Sequence, residues 1–457
     1  MKSSISLSVK IPDKPPNPKK YDSVKKKEHF SKYLLNKEFY NLVQKINDKY
    51  LYWDEIKYQD IPKDIDLEIF WFAIKFIRKL KSKKIQINKQ EKFEFGYTIL
   101  DRIQKKLHEF DLNLAGPLND KSILPKDERE KSLKINSSME EAIASSILEG
   151  ALTTRKDAKE MLRKGKDPKT IHEQMVLNNY ETMKYVLNLK DTTLTPDIIL
   201  TMHKKMTNGT LDNQKYEGRF RDSNEFKLMD GMTGEIGYTP PDFKLIPDLI
   251  NEYCKFANHE SDENFIHPII KACILHFFMG YIHPFIDGNG RTARSLFYWY
   301  VLSKGYWLFQ YISISRKIKD SPAQYARAYL HTEKDENDLT YFINYHIKII
   351  DEALCDLQSY MEKQSTEKEQ IMRLIQLKGY ELNTRQMEVI KRFNRHPNES
   401  ITINEIQTMF DVVYETARSD LIDLVEKGFL EKGIIGKKKL VFVKSDKFDK
   451  IMKEKSN

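Results

Sequence analysis

Tyr281-Ile282-His283-Pro284-Phe285-Ile286-Asp287-Gly288-Asn289-Gly290-Arg291-Thr292-Ala293-Arg294 is the stretch on which the reading of this chain turns. An apolar run at residues 267–281 leads into it and another, 292–302, leaves it. The spacing predicts two helices joined by a short polar turn. Gly288-Asn289-Gly290 takes positive φ at little cost, so successive amide N–H groups can converge on one concavity at the start of the second helix, where an anion is favoured. Arg291 and Arg294, three apart on the first turn, are placed to clamp that anion. Asp287 offers a hard oxygen for a magnesium ion that travels with a phosphate chain. His283 is the one group there that exchanges a proton near neutral pH. A plain glycine turn with solvated arginines has no need of all of these within twelve residues. The stretch predicts phosphoryl or nucleotidyl transfer.

The same residues carry a family resemblance. HPFIDGNGRTAR, His283 to Arg294, resembles the Fic signature HPFx(D/E)GNGRxxR with no position broken. The resemblance implies a mainly α fold with a helical Fic core, and a protein adenylyltransferase that moves AMP from ATP to a Ser, Thr or Tyr hydroxyl of a target protein. It implies His283 as base, Asp287 as Mg2+ ligand, and Gly288, Asn289, Gly290, Arg291, Thr292 and Arg294 around the nucleotide.

Upstream, Ser137-Ser138-Met139-Glu140-Glu141 reads as a capping box opening a helix that runs to Gly150. Within it, Ser145-Ser146-Ile147-Leu148-Glu149-Gly150 is similar to the inhibitory motif (S/T)xxxE(G/N) of class II Fic proteins, which implies that Glu149 pairs with Arg294 and keeps the γ-phosphate from its seat. Thr195-Pro196-Asp197 is a helix start with Thr195 as cap. His203, in the apolar pattern that follows that cap, reads as packed in the core or capping a neighbour and is given no chemistry. Gly218-Arg219-Phe220-Arg221 opens a loop in which 226–228 and 235–238 flank a glycine turn, the pattern of a β-hairpin. Fic proteins carry such a flap and use it to hold the target by strand addition. Ile236 and Tyr238 are the expected target-facing residues. Downstream, in Fic proteins the helix matching 322–331 helps wall the adenine pocket, and by that resemblance Tyr325 is the candidate, with a core tyrosine as the alternative reading. A long helix, 340–360, closes the core, and a charged link, 362–369, follows.

The outlying regions read differently. Residues 1–28, with Pro12, Pro15, Pro16 and Pro18, predict an extended arm, and 32–110 a helical domain. Residues 112–134 predict a linker. At the other end, three short helical patterns beginning near Asn383, Thr402 and Tyr414 precede two strands around a basic tip, residues 433–439, which resembles a winged helix-turn-helix. Thr416, Arg418, Ser419, Lys437, Lys438 and Lys439 are the DNA contacts this implies. Because the third helix also carries Glu415, Asp420 and Asp423, a protein-interaction module stands beside DNA binding as a reading. The partition is 1–110, 111–136, 137–360 and 361–457, with the inhibitory helix at 137–150.

Composition narrows the class. The net charge of +9 on 457 residues is too small to argue nucleic-acid binding by itself. Cys254, Cys273 and Cys355 lack metal-ligand spacing and read as buried thiols of a reducing compartment. No apolar run reaches membrane-spanning length and the first twenty residues lack a signal-peptide core, so a cytoplasmic location without membrane contact is expected. ATP, a hydroxyl-bearing protein and, by the resemblance, a second copy of the chain are the expected partners. A de-adenylylating hydrolase using the same site and a DNA-binding regulator with a nucleotide-sensing core are the rival readings.

Overall fold

Residues 268–282 are apolar on nearly every face, and a helix of that kind is stable only inside a protein. The computed structural model describes residues 4–7, 10–16, 35–63, 65–86, 94–115, 128–225, 227–230, 236–259, 264–377, 379–435 and 439–452, and is mainly helical. In chain order come β1 (Ser4–Leu7), α1 (Lys37–Lys49), α2 (Trp53–Ile56), α3 (Leu67–Lys81), β2 (Lys83–Gln86), β3 (Glu94–Tyr97) and α4 (Asp101–Leu114). Next are α5 (Glu128–Leu148), α6 (Arg155–Lys164), α7 (Ile171–Asn188), α8 (Pro196–Thr207), β4 (Lys227–Asp230), β5 (Ile236–Tyr238), α9 (Ile246–Asn258), α10 (Pro268–Ile282) and α11 (Asn289–Ser303). The chain continues through α12 (Ile314–Asp320), α13 (Pro322–Lys334), α14 (Thr340–Leu377), α15 (Thr384–Arg395), β6 (Ser400–Ile401), α16 (Ile403–Phe410), α17 (Tyr414–Glu426), β7 (Leu430–Ile435), β8 (Lys439–Lys444) and α18 (Phe448–Met452).

The chain folds into two units that interleave in sequence. The first holds 1–114, 185–306 and 317–351; the second holds 115–184, 307–316 and 352–457.

In the first unit α10 and α11 pack as an antiparallel pair at the centre. Ile269, Ile270, Ile274, Leu275, Phe277, Leu296, Phe297 and Val301 are all fully buried. At about 1.5–3 kcal/mol for each such side chain, this pair is the best-held element of the unit. His267 caps α10 by accepting from the Ile269 amide, with Pro268 at the first helical position. The N-terminal helices are tied in by polar contacts: Arg78 donates to Asn47 and to the Tyr341 hydroxyl (2.7 Å), and Lys75 pairs with Asp335 at 2.8 Å. The pattern-based reading of 32–110 as helical misses the hairpin β2–β3, antiparallel with Lys83 opposite Tyr97. A second sheet, in the order β1-β4-β5, contains the flap hairpin. β1 runs parallel to β4, and β4 is antiparallel to β5 with an irregular register at Leu228 and Met229. Of the expected extended arm, residues 4–7 form β1, while 1–3, 8–9 and 17–28 lie outside the described residues. The hairpin's turn, 231–235, and Phe226 lie outside the described residues.

In the second unit α5 packs with α6, α15 and α16 around Met139, Ala142, Ile143, Met161 and Val176. The three helices α15, α16 and α17 and a sheet ordered β6-β8-β7 enclose a second core built on Ile390, Phe393, Phe410, Leu421 and Phe442. Glu405, in a capping box with Thr402, is 1% exposed and lies 3.3 Å from Arg163 and 3.6 Å from Arg392.

Three sequence expectations are corrected here. The capping box at 137–141 does not form, because α5 begins nine residues earlier. Glu140 instead meets Arg155 and Lys159, and buried Glu141 accepts from the Ser313 and Ser315 hydroxyls and the Ser315 amide at the start of α12. The charged link after residue 360 is helix, since its Glu, Lys and Gln are good helix formers and no glycine or proline interrupts before Gly379. Cys254 and Cys273 are buried but Cys355 is exposed. Burial drives the Cys254 thiol up to about 12.

Candidate functional site

The site grows from the end of α10. His283 is the residue that stops that helix, with φ 48° and ψ 57°, while its amide still reaches back to the Met279 carbonyl at 3.1 Å. A left-handed histidine is costly backbone and persists only where its surroundings fix it. They do. Arg221, 4% exposed, donates from Nε to the His283 carbonyl (2.9 Å), and its amide donates to the Pro284 carbonyl (2.8 Å). The remaining guanidinium N–H groups bind the Ser223 carbonyl, Asn224 Oδ1 and the Pro241 carbonyl, on both legs of the flap. Tyr238 adds a hydroxyl donated to the Tyr281 carbonyl at 2.6 Å. One guanidinium therefore fixes the histidine's backbone and the flap's base together.

The His283 ring is partly buried, and Nδ1 lies 3.4 Å from the Gly280 carbonyl. A carbonyl only accepts, so Nδ1 carries the proton and the basic lone pair is on Nε2. Burial pushes the imidazole down to about 4; the nearby Arg221 charge adds to this, while the Gly280 carbonyl and Asp287 oppose it. The ring is neutral throughout the physiological range.

The turn that follows is held from below. Asn289 closes on Phe285, its Oδ1 accepting from the amide (2.9 Å) and its Nδ2 donating to the carbonyl (2.8 Å). Gly288 has φ 82°, and a Cβ there would meet Thr207 Cγ2 at 3.1 Å and His203 Nε2 at 3.3 Å. The first helical bond of α11 is Thr292 N–H to the Gly288 carbonyl, so the amides of Asn289, Gly290 and Arg291 precede the ladder. Of Gly288, Asn289 and Gly290, Gly288 alone takes positive φ; Asn289 and Gly290 already belong to α11. Thr292 spends its hydroxyl on the Gly288 carbonyl at 2.9 Å, and so braces the turn.

Both signature arginines are buried. Arg291 is fully buried under the turn, 3.4 Å from both the Met206 carbonyl and Asp287 Oδ2, with Nε unpaired. Arg294, also buried, makes its charge felt at His276 and Tyr329. Asp287 is exposed, with one carboxylate oxygen on the Gly288 amide and the other toward Arg291. It is the one hard ligand at the turn, and no cluster of three or more His, Cys, Asp or Glu residues suited to a metal occurs among the described residues. A magnesium ion held by one carboxylate and otherwise by phosphates and water fits that donor set.

Tyr325 is committed to a buried chain. His346 Nδ1 must donate to the Phe342 carbonyl (3.0 Å), so its Nε2 accepts from His276 Nδ1 (3.1 Å), and His276 Nε2 accepts from the Tyr325 hydroxyl (2.8 Å). Tyr238 is a correction: its ring is turned onto Tyr281 and does not face outward, whereas Ile236 is 46% exposed. Gly280 leaves room for the Tyr329 ring, whose hydroxyl would sit 2.5 Å from a Cβ there.

Two residues carry the site that the sequence did not assign. His203 stacks on Phe285 at 3.7 Å and receives the Gly218 amide on Nδ1 (3.1 Å), which leaves Nε2–H to donate to the Asp287 carbonyl (2.9 Å). Arg221 is the other. The only sequence signal for either was the run Gly218-Arg219-Phe220-Arg221, whose glycine takes φ 68°.

Five histidines of this unit are held neutral, chiefly by burial: His203 and His283 down to about 4, His331 and His346 to about 3, and His276 well below the ordinary value. Their folded pKa values lie below the unfolded value near 6.5, so the unfolded chain binds more protons between the two. Stability is therefore fully present above pH 6.5 and is lost as pH falls. Between pH 7 and 5 each of the fully buried His203, His276 and His346 is expected to withdraw about 1–2 kcal/mol. Calorimetry should find the melting temperature falling steeply over that range, and a flat profile would refute the assignment.

In the second unit, Ser145 is buried on α5 and Glu149 follows its last turn, where Gly150 turns the chain at φ 91°. On α17, Thr416 is partly buried and Arg418 and Ser419 are exposed, with Arg418 4.0 Å from Glu415. Lys437 and Lys438 lie outside the described residues.

Comparison with known proteins bears on the first unit. Residues 193–301 match the Fic/DOC family model. A protein adenylyltransferase Fic of Nematostella vectensis is 32% identical over 124 residues, 26% of this chain and 26% of the relative. Its Drosophila grimshawi counterpart is 37% identical over 70 residues, 15% and 14% of the two chains. The match spans about a quarter or less of the length of these curated relatives. Among solved structures, Fic-1 of C. elegans (residues 134–508) aligns at a TM-score of 0.47 and 19% identity, covering 72% of this chain and 86% of that one. A Fic family protein from Desulfovibrio desulfuricans G20 gives 0.44 and 17%, covering 76% and 95%.

Proposed function

From a Fic/DOC domain at residues 193–301, we propose that this protein is an autoinhibited adenylyltransferase that transfers AMP from ATP to a hydroxyl side chain of a target protein. The observation that carries this reading is the unbroken HPFIDGNGRTAR motif inside the matched stretch, with His283 held neutral at the mouth of an amide nest. The amides of Asn289, Gly290 and Arg291 receive phosphate oxygens, and the buried charges of Arg291 and Arg294 favour the anion from beneath. Asp287 would hold Mg2+, which neutralises phosphate charge when bound. His283 Nε2 accepts the proton of the target hydroxyl, the oxygen attacks the α-phosphorus in line, and pyrophosphate leaves. Ile236 is the flap residue that meets the target, and Tyr325, through its ring, is proposed to flank the adenine.

Glu149, with Ser145 in the same motif, is the proposed brake, acting on Arg294. Loss of a charge-assisted contact of this kind is worth about tenfold or more. Glu149→Gly should therefore raise incorporation of label from α-labelled ATP into lysate proteins by about that factor; unchanged incorporation would remove the brake from the proposal. The order α15-β6-α16-α17-β7-β8 supports reading the C-terminal part as a winged helix. Its exposed Val413 and Tyr414 at the start of α17, with Ile434 and Leu440 on the hairpin, favour contact with a protein over DNA.

A further inference from the structure

A strand near the start of the described chain, β1, lies on the flap. β1 pairs in parallel with β4, Ser4 opposite Lys227, Ile5 opposite Leu228, Ser6 opposite Met229 and Leu7 opposite Asp230. Beyond it the arm is anchored. Ile11 is 4% exposed, and its Cδ1 would lie 3.4 Å from a Cβ on Gly237 of β5. The Asp13 carbonyl accepts from the Tyr52 hydroxyl (2.8 Å), its amide donates to Asp54 Oδ2 (2.8 Å), and its carboxylate meets Lys57 (2.8 Å).

A hairpin has two edges. The β5 side of this one is committed to the body of the unit: Tyr238 holds the Tyr281 carbonyl, and a Cβ on Gly237 would meet Leu330 of α13 at 3.3 Å. The strand-accepting edge is that of β4, whose amides and carbonyls would otherwise be unpaired, and β1 sits on it. We propose that residues 4–7 are a tethered occupant of the flap and that an extended segment of a target protein must displace them to pair with β4. The seat on β4 stands on the strand register alone; the competition rests on the adenylyltransferase reading above.

Four residues of parallel pairing are weak in isolation. Tethered by the anchor at Ile11 and Asp13, they act at an effective concentration on the order of millimolar. Such an occupant discriminates against weakly pairing chains yet yields to a good one.

Two variants test this in the full protein. One lacks residues 1–9 and keeps the anchor. The other, Ile5→Pro with Ser6→Pro, keeps the length but removes the donors on both faces of β1, since alternate residues of a strand bond a given neighbour. Amide exchange at Lys227–Asp230 should rise in both variants, and the KM for a protein target should fall about tenfold with kcat little changed. Unchanged exchange overturns the seat on β4. Faster exchange with an unchanged KM overturns the competition. Faster exchange with no AMP transfer from any form overturns the catalytic reading and the competition with it, and leaves the seat standing.

Discussion

Replacing His283 by alanine is expected to reduce AMP transfer to protein by about 10²–10⁴-fold, the range for loss of a positioned general base, while ATP binding persists. The geometry supports that size of effect because the ring's environment is specialised for one protonation state. Burial holds the imidazole near 4, with the Gly280 carbonyl setting Nδ1–H and leaving Nε2 as the base. The sign of the pH dependence follows. A base titrating near 4 is unprotonated above about pH 5, so kcat/KM, which reports the free enzyme, should be flat from pH 8 to about pH 6 and fall only below about pH 5. Bound ATP brings negative charge beside the ring and raises its pKa, so the acid limb of kcat should lie at higher pH than that of kcat/KM. Labelled protein formed at the wild-type rate by His283→Ala would end this assignment.

Arg221 is expected to give the second large effect, and by a different route. Its guanidinium satisfies acceptors on His283, Ser223, Asn224 and Pro241 at once. Alanine leaves the part-buried His283, Ser223 and Pro241 carbonyls without this donor, at about 1–3 kcal/mol each where water cannot replace it. Lysine keeps the charge but cannot span the set, because an ammonium is a point donor and not a planar fork. Both variants should raise the KM for the protein target by about tenfold or more, with alanine the more destabilised. A readout separates positioning from bulk stability. The Arg221 charge is one of the influences that lower the His283 pKa, so its removal should move the acid limb of kcat/KM to higher pH in Arg221→Ala and less so in Arg221→Lys. A target KM that stays at the wild-type value in a folded Arg221→Lys protein would show that the fork does not position the flap.

These two predictions differ in how far the sequence foresees them. His283 is visible because its neighbours in the site are its neighbours in the chain. The same holds for the Thr195 cap with Pro196, which the structure forms as expected, Thr195 accepting the Ile198 amide, and in part for the glycine turn, where Gly288 takes positive φ while Asn289 and Gly290 open α11. Arg221 is invisible because its acceptors lie on three separate stretches, up to 62 residues away. His203 reads as an apolar-pattern histidine until its ring is found between Gly218 and Asp287. The capping box at 137–141 fails for a related reason: Glu141 finds stronger partners 172 and 174 residues on, at Ser313 and Ser315, than any on its own helix.

The amino-acid order alone therefore determined the helical hairpin of α10 and α11, the glycine turn between them, and the identity of the groups the turn presents, since periodicity, positive φ and local capping are written within a few residues of each position. Tertiary structure alone decided that Tyr238 turns inward, that one arginine holds both the histidine and the flap, and that the N-terminal strand is seated on β4. Those facts depend on which distant polar group reaches an unpaired donor or acceptor first. A buried donor or acceptor must be met from somewhere, but its position in the chain does not say by whom.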